Sequence, residues 1–231
     1  MKSHGDSELS RRNLLQMGLT ATGAALLAGG LDLGASLPAQ AQSSLTPDVA
    51  LNNLIDGNKR FISGHLTGQR DLADQRRRTE HKQEPFAAVL ACADSRVPVE
   101  LVFDQGIGQI FTARVAGNMI TPEIIGSLEY GAAVLGTKVI LVLGHSNCGA
   151  VKATMQGKEV PGQISSLFPH IQPAVDEAGH DLIAATKANA KLQAKLLRES
   201  STVIAGLVKS GGVKVTSGYY DVGSGAVTLL E

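Results

Sequence analysis

The sequence has no tryptophan, and only 3% of its 231 residues are aromatic. A surface that binds carbohydrate or single-stranded nucleic acid by stacking needs more rings than this. No charge of one sign predominates, since 21 Lys and Arg balance 21 Asp and Glu. This balance excludes a strongly basic nucleic-acid binder and an acidic disordered tail. Two cysteines are too few for a disulfide-rich scaffold, whereas 43% hydrophobic residues are enough for a packed core.

The first forty residues have the features of an export signal. The pair Arg11-Arg12 precedes an uncharged, Ala- and Gly-rich run at 13–31, and Ala39-Gln40-Ala41 offers small residues for cleavage. We expect 1–41 to be a cleaved twin-arginine signal and 42–231 to be a single domain. The destination would be the periplasm, or the thylakoid lumen of a photosynthetic source. An uncleaved membrane anchor and a disordered tail are the alternatives, but the glycines weaken a permanent membrane helix.

Apolar runs alternate with helical patterns along the rest of the chain. Such alternation predicts an α/β fold with a mostly parallel central sheet, flanking helices and a C-terminal hairpin or edge strand. We predict strands at 85–92, 110–116, 139–143, 213–220 and 226–230, and helices at 47–64, 121–135, from 150 onward and within 181–209. The triplet Arg76-Arg77-Arg78 has acidic neighbours, so we interpret it as a solvated helix face.

Both cysteines lie where a predicted buried strand ends. Cys92 opens the segment Cys-Ala-Asp-Ser-Arg, and Cys148 lies in His145-Ser-Asn-Cys-Gly149. Ligands of open α/β sheets bind beyond the carboxyl ends of the strands. If the two strands are neighbours, two thiols and an imidazole meet there. Two cysteines and one histidine form a zinc-binding set that leaves the fourth position to water or to Asp94.

Other interpretations of the cysteines stay open at this point. Cysteine count alone favours a disulfide in an exported protein, and a purely structural zinc is a second alternative. Three features favour a metal site over a disulfide. His145 precedes Cys148 by three residues, Asp94 and Arg96 place unusual charge at a strand end, and folding before export would let metal bind the thiolates first.

These motifs resemble those of the β-class carbonic anhydrases. The family signature is Cys-x-Asp-Ser-Arg, here at 92–96, followed about fifty residues later by His-x-x-Cys-Gly, here at 145–149. Arg114-Val-Ala-Gly-Asn118 and Gly218-Tyr-Tyr-Asp221 are similar to family segments as well. The resemblance extends over residues 47–231, and the paired motifs at this spacing are highly specific.

The resemblance assigns roles residue by residue. It implies one Zn²⁺ per chain held by Cys92, His145 and Cys148, with Asp94 and Arg96 as the catalytic dyad. In a closed form, Asp94 itself coordinates zinc. Gln83 and Gly149 are the implied substrate-binding residues.

The implied reaction is the reversible hydration of CO2 to bicarbonate and a proton by a zinc-bound hydroxide. The resemblance also implies a homodimer or higher oligomer, with no nucleic-acid partner and no stable membrane span after signal cleavage. Two alternative functions would use the same zinc ligands. One is the hydrolysis of carbonyl sulfide or carbon disulfide, and the other is that of a non-catalytic protein that senses zinc or bicarbonate. We expect His65, His81, His170 and His180 to lie at the surface.

Overall fold

A central five-stranded sheet organises the fold, which we describe from a computed structural model of residues 43–230. The export signal predicted at 1–41 lies outside these residues. The strand order is β2-β1-β3-β4-β5. The first four strands are parallel, and β5 pairs antiparallel with β4, so the predicted sheet and hairpin are confirmed. The strands are β1 (Ala87–Ala91), β2 (Ile110–Arg114), β3 (Val139–His145), β4 (Lys214–Tyr220) and β5 (Val227–Leu230).

The two central strands, β1 and β3, are buried along their whole length. Their unbroken apolar sequences fit this position, because helices cover both faces of the sheet. One core cluster includes Leu54 and Leu141, and a second includes Leu90 and Leu197. Ala91 pairs with Leu143. The carboxyl ends of β1 and β3 therefore lie side by side, as the metal-site hypothesis requires.

The first helix begins and ends where the local sequence predicts. Helix α1 (Pro47–Ser63) begins after Thr46, whose side chain accepts a hydrogen bond from the Val49 amide, and ends at Gly64 in the left-handed conformation, φ 72°. Helix α2 (Leu72–Thr79) has no buried residue and carries the arginine triplet as a solvated face. The remaining helices are α3 (Val99–Val102), α4 (Pro122–Glu129), α5 (Gly149–Gln156), α6 (Phe168–Ala178), α7 (Leu182–Ser200) and α8 (Thr202–Lys209).

Two predicted helices are divided. The segment 121–135 is α-helical only to Glu129 and continues as a π-helical turn, Tyr130–Val134. The segment 181–209 breaks at Ser201, which adopts an extended conformation. The Ser201 hydroxyl accepts from the Ile204 amide, 3.0 Å, and donates to the Glu129 carboxylate, 2.6 Å. This capping interaction starts α8 as a separate helix.

The predicted second strand is shorter than expected and stops at Arg114. Residues Ala116–Asn118 instead form a 3₁₀ turn in which Gly117 and Asn118 have positive φ values, 76° and 43°. This turn carries the backbone past the carboxyl edge of the sheet. Within residues 43–230, no helix has both the length and the apolar character that a membrane span requires.

Candidate metal centre

Cys92, His145 and Cys148 converge at the carboxyl edge of the sheet. Cys92 follows β1, His145 ends β3, and Cys148 is the residue before α5. One ligand atom from each residue lies within 4.8 Å of the other two, and all three side chains are buried. Both cysteines are free thiols, so the disulfide alternative is not what the structure shows.

The ring of His145 is fixed by its own loop. Nδ1 lies 3.0 Å from the Ser146 carbonyl oxygen, to which it donates. Nε2 is buried and has no hydrogen-bond partner. With the proton on Nδ1, Nε2 presents a lone pair toward the cysteines, as in metal-binding histidines with a backbone partner. The loop is in turn attached to the end of β4, since the Ser146 amide donates to the Tyr220 carbonyl, 2.9 Å.

The surroundings of the two sulfurs stabilise negative charge at Cys92. A hydrogen bond from the Cys148 thiol lowers the pKa of Cys92, and the Gly117 amide, 3.3 Å from Sγ, adds to the effect against the opposing effect of burial. The same contact and burial raise the pKa of Cys148. One thiolate thus forms readily next to a second thiol. A divalent cation would favour loss of both protons, because it binds thiolates rather than thiols.

Asp94 and Arg96 form a bidentate ion pair beside the cluster. Arg96 Nε lies 2.9 Å from Asp94 Oδ1, and Nη2 lies 2.7 Å from Oδ2. The hydrogen bond from the Arg96 side chain lowers the pKa of Asp94 well below its usual range. Asp94 Oδ2 is also 3.9 Å from His145 Nε2. An ionised carboxylate is therefore held next to the place where the three ligand atoms meet.

Arg114 supports this edge from the neighbouring strand. Its Nε donates to the Cys92 carbonyl, 3.0 Å, and its Nη2 donates to the Asp94 carbonyl, 2.6 Å. Both hydrogen bonds lie within the fold. Its hydrogen bonds fix the backbone between a metal-ligand candidate and the dyad.

These residues fit zinc. Two sulfurs and one imidazole nitrogen are a zinc donor set, and three protein ligands with a free fourth position are typical of catalytic rather than structural sites. The buried Nε2 of His145, which has no hydrogen-bond partner, is a second indication of a metal site. Burying such a nitrogen costs free energy unless a proton donor or a metal ion binds it.

The other proposed site residues lie outside the cluster. Gly149 is exposed at the start of α5, next to Cys148. Gln83 is exposed and precedes the amino end of β1, whereas Cys92 follows its carboxyl end. Five strand residues span about 16 Å, so the structure does not bring Gln83 to the cluster of its own chain. The four other histidines within residues 43–230, at 65, 81, 170 and 180, are exposed, as expected.

Sequence reasoning missed two buried amide residues on α7, Asn189 and Gln193. Asn189 Nδ2 donates to the Gly117 carbonyl, 2.9 Å, in the turn that reaches Cys92. Their spacing of four residues, on a helix face that also carries the apolar residues Ala190 and Leu197, is the signal that could have identified them.

A Cys2His site at the carboxyl edge of a parallel α/β sheet defines a class of zinc proteins, and comparison with known proteins identifies the family. Residues 87–227 match the family model described as carbonic anhydrase. The chain therefore belongs to the carbonic anhydrase family, in its β class.

Individual relatives agree with this placement. Carbonic anhydrase of Mycolicibacterium smegmatis is 38% identical over 133 residues, which cover 56% of this chain and 65% of that protein. The chain thus spans somewhat less than two thirds of that curated relative. The Coccomyxa β-carbonic anhydrase, solved in complex with acetazolamide, superposes with a TM-score of 0.61 at 25% identity, covering 78% of this chain and 86% of that one.

A tetrameric β-carbonic anhydrase of Sordaria macrospora shares the fold. It superposes with a TM-score of 0.62 at 21% identity, over 79% of this chain and 94% of that one.

Proposed function

We propose that the protein catalyses the reversible hydration of CO2 to bicarbonate and a proton. The observation that carries this proposal is the placement of the Asp94–Arg96 ion pair against a buried Cys2His cluster. Zinc bound by these three residues supplies the Lewis acid that makes a water molecule acidic enough to lose a proton near neutral pH. Membership of the carbonic anhydrase family supports the same reaction.

Asp94 orients the solvent molecule that reacts. Its carboxylate accepts a hydrogen bond from that molecule and so directs an oxygen lone pair toward the CO2 carbon. Arg96 keeps Asp94 ionised and fixes both of its oxygens, so that little reorganisation is needed during the reaction. The apolar cluster behind the sulfurs, which includes Val151 and Ile171, excludes bulk water from that side.

Stopped-flow CO2 hydration with a pH indicator tests the proposal on protein containing one zinc per chain. Asp94→Asn should lower kcat/KM by about 10²- to 10⁴-fold while zinc stays bound. Acetazolamide should inhibit the wild-type protein, given that the Coccomyxa relative was solved with it. A zinc-loaded protein that hydrates CO2 no faster than buffer would refute the proposal, and hydrolysis of carbonyl sulfide by that protein would identify the rival enzyme.

We also propose that the chain functions as a homodimer or higher oligomer. The Sordaria relative is described as tetrameric, and the position of Gln83 adds an argument. Because Gln83 is far from the cluster of its own chain, a contact with substrate would require that a second copy contribute it. Analytical ultracentrifugation tests the assembly, and a monomer with full activity would refute both statements.

Export by the twin-arginine route remains our proposal for residues 1–41, supported by Arg11-Arg12 and the uncharged run that follows. Fractionation of a host with and without a working twin-arginine translocase tests it. The proposal predicts a shortened protein outside the cytoplasm only in the competent host, and Arg11→Lys with Arg12→Lys should retain the precursor inside.

A further inference from the structure

Helix α7 places two amide side chains in the protein interior. Asn189 and Gln193 are both fully buried, one turn apart. Burying an amide costs free energy unless each polar atom finds a partner. A helix that only had to pack against the sheet would carry apolar residues here, as α7 does at Ala190 and Leu197. The amides therefore need an explanation beyond packing.

Two of their partners, Gly117 and Ile120, lie in one short segment that follows β2. Asn189 Nδ2 donates to the Gly117 carbonyl, 2.9 Å. The Gln193 side-chain oxygen accepts from the Ile120 amide, 2.8 Å, and its Nε2 donates to Asn189 Oδ1, 3.1 Å, and to the His170 carbonyl, 2.9 Å. The two amides thus hold both ends of the segment 117–120 against α7.

Gly117 connects this segment to the metal centre. Its amide donates to Cys92 Sγ, 3.3 Å, while its carbonyl is the oxygen that Asn189 holds. Gly117 has φ 76°, and an added Cβ would lie 2.6 Å from Ile171 Cδ1. The left-handed backbone conformation therefore favours glycine, and any larger residue would also have to displace the end of the Ile171 side chain. One residue receives a hydrogen bond from α7 and donates one to a metal ligand.

We propose that Asn189 is a positioning residue for Cys92. By fixing Gly117, Asn189 directs the Gly117 N–H at the Cys92 sulfur. This hydrogen bond sets how strongly the sulfur binds the metal and how much electron density it donates to the metal. An N–H···S hydrogen bond withdraws electron density from a thiolate. The metal then keeps more of its positive charge, which offsets the strong donation expected from two thiolates. This inference rests on the zinc site of the proposed function, but it does not depend on turnover of CO2.

A purely structural role for Asn189 would give different results. Thr186 provides the matched control, because it is also buried on α7 and its hydroxyl bonds only within the helix, to the Leu182 carbonyl, 2.8 Å. Asn189→Leu and Thr186→Val each remove one buried polar group and keep the approximate shape. Both variants should lose some stability, but only Asn189→Leu should alter the metal site.

The test measures metal binding at the site and does not rely on CO2 hydration. Zinc affinity, from competition with a chromophoric chelator, should fall about 10- to 100-fold in Asn189→Leu, because Cys92 Sγ loses the hydrogen bond that orients it for the metal. It should stay unchanged in Thr186→Val. In cobalt-substituted protein, the sulfur-to-cobalt charge-transfer band should move to lower energy in Asn189→Leu only. Equal changes in both variants, or none in Asn189→Leu, would overturn the inference.

A measurement on the wild-type protein keeps the inference testable if Asn189→Leu fails to fold. After substitution with ¹¹³Cd, the Gly117 amide proton should show a scalar coupling to the metal through Cys92 Sγ. Absence of that coupling would overturn the inference. The expected coupling and band shift in a protein that does not hydrate CO2 would support the inference while refuting the proposed function.

Discussion

Arg96 donates to both carboxylate oxygens of Asp94 through its side chain, at 2.9 and 2.7 Å, and its backbone amide adds a third hydrogen bond at 2.9 Å. A third side-chain hydrogen bond, from Arg96 Nη2 to the Asn147 carbonyl at 3.2 Å, joins the pair to the loop between His145 and Cys148. The dyad is therefore attached to both strand ends that supply the cluster. This attachment keeps the carboxylate beside the cluster.

Arg96→Lys should lower activity although it conserves charge. Lysine is a point charge that cannot form the two parallel hydrogen bonds to Asp94. The loss of one of the two parallel charge-assisted hydrogen bonds should decrease kcat/KM by about 10- to 100-fold. Stopped-flow hydration with parallel zinc analysis checks this. The exposed neighbour variant Ser95→Ala is the control, and full activity in Arg96→Lys would contradict the role of the bidentate geometry.

The cluster could be predicted from sequence because its members lie in short motifs at strand ends. Once β1 and β3 are parallel neighbours, Cys92, His145 and Cys148 must meet. The support for the cluster could not be predicted in the same way. Asn189 and Gly117 are 72 residues apart, and their contact depends on how α7 packs across the sheet. No local pattern encodes that packing.

The helix boundaries that were missed have a similar cause. The predicted segment 181–209 is rich in helix-forming residues throughout. At its break, Ser201 combines a local cap on the Ile204 amide with a hydrogen bond to Glu129 in another part of the chain. The position of Gln83 likewise depends on which end of β1 faces the site. Gln83 precedes Cys92 by nine residues, but this separation in sequence does not give the distance between them in space.

Cys148→Ser should abolish zinc binding. A serine hydroxyl is a poor zinc ligand at neutral pH, and the two remaining ligands cannot hold the ion at a site that normally needs three. Metal analysis after gel filtration should give near one zinc per chain for the wild type and near none for the variant. Circular dichroism establishes that the variant is folded. A folded Cys148→Ser protein with a full complement of zinc would remove Cys148 from the ligand set.

Removal of zinc from the wild type should be reversible. A chelator should abolish CO2 hydration, and thiol titration under reducing conditions should then find two free thiols per unfolded chain. Added zinc should restore activity, because the ligand positions are set by the sheet rather than by the metal. Lasting loss of activity with the fold intact would indicate that the site does not persist without metal.

Asp104 should give the protein a specific sensitivity to acid. The carboxylate is buried, and burial opposes its ionisation, but hydrogen bonds from Arg60, Gly68 and Thr67 outweigh burial and lower its pKa. A lowered folded-state pKa means that the stabilisation is present above the unfolded pKa, about 3.9, and is lost as pH falls through the lower folded value. Asp104→Asn should therefore destabilise the protein by about 3 kcal/mol at pH 7.

Urea denaturation at pH 7 and at several acidic pH values measures this effect. The difference between wild type and Asp104→Asn should shrink as pH falls below about 4. Asp56→Asn is the matched control, because Asp56 pairs with Lys59 at the surface of α1 and should matter little to stability. A difference that is independent of pH would show that the carboxylate charge at Asp104 is not the source of the stability.

Two helical glycines should respond to alanine with opposite signs. Gly57 in α1 lies against the Phe103 carbonyl oxygen, which an added Cβ would approach to 1.8 Å. Gly126 in α4 is exposed, and an added Cβ there would meet nothing within 4 Å. Alanine is favoured over glycine in a helix by about 1 kcal/mol, so Gly126→Ala should raise the free energy of unfolding by up to that amount.

Gly57→Ala should instead lower the free energy of unfolding by about 1–3 kcal/mol, because α1 must move away from the end of α3 and overpacking exceeds the gain in helix propensity. Urea denaturation of both variants checks the pair. A stabilised Gly57→Ala protein would mean that α1 lies farther from Phe103 than the structure places it. The close approach matters for the fold because Asn58, the next residue, donates to the Val102 and Gly225 carbonyls and so links α1 to α3 and to the turn between β4 and β5.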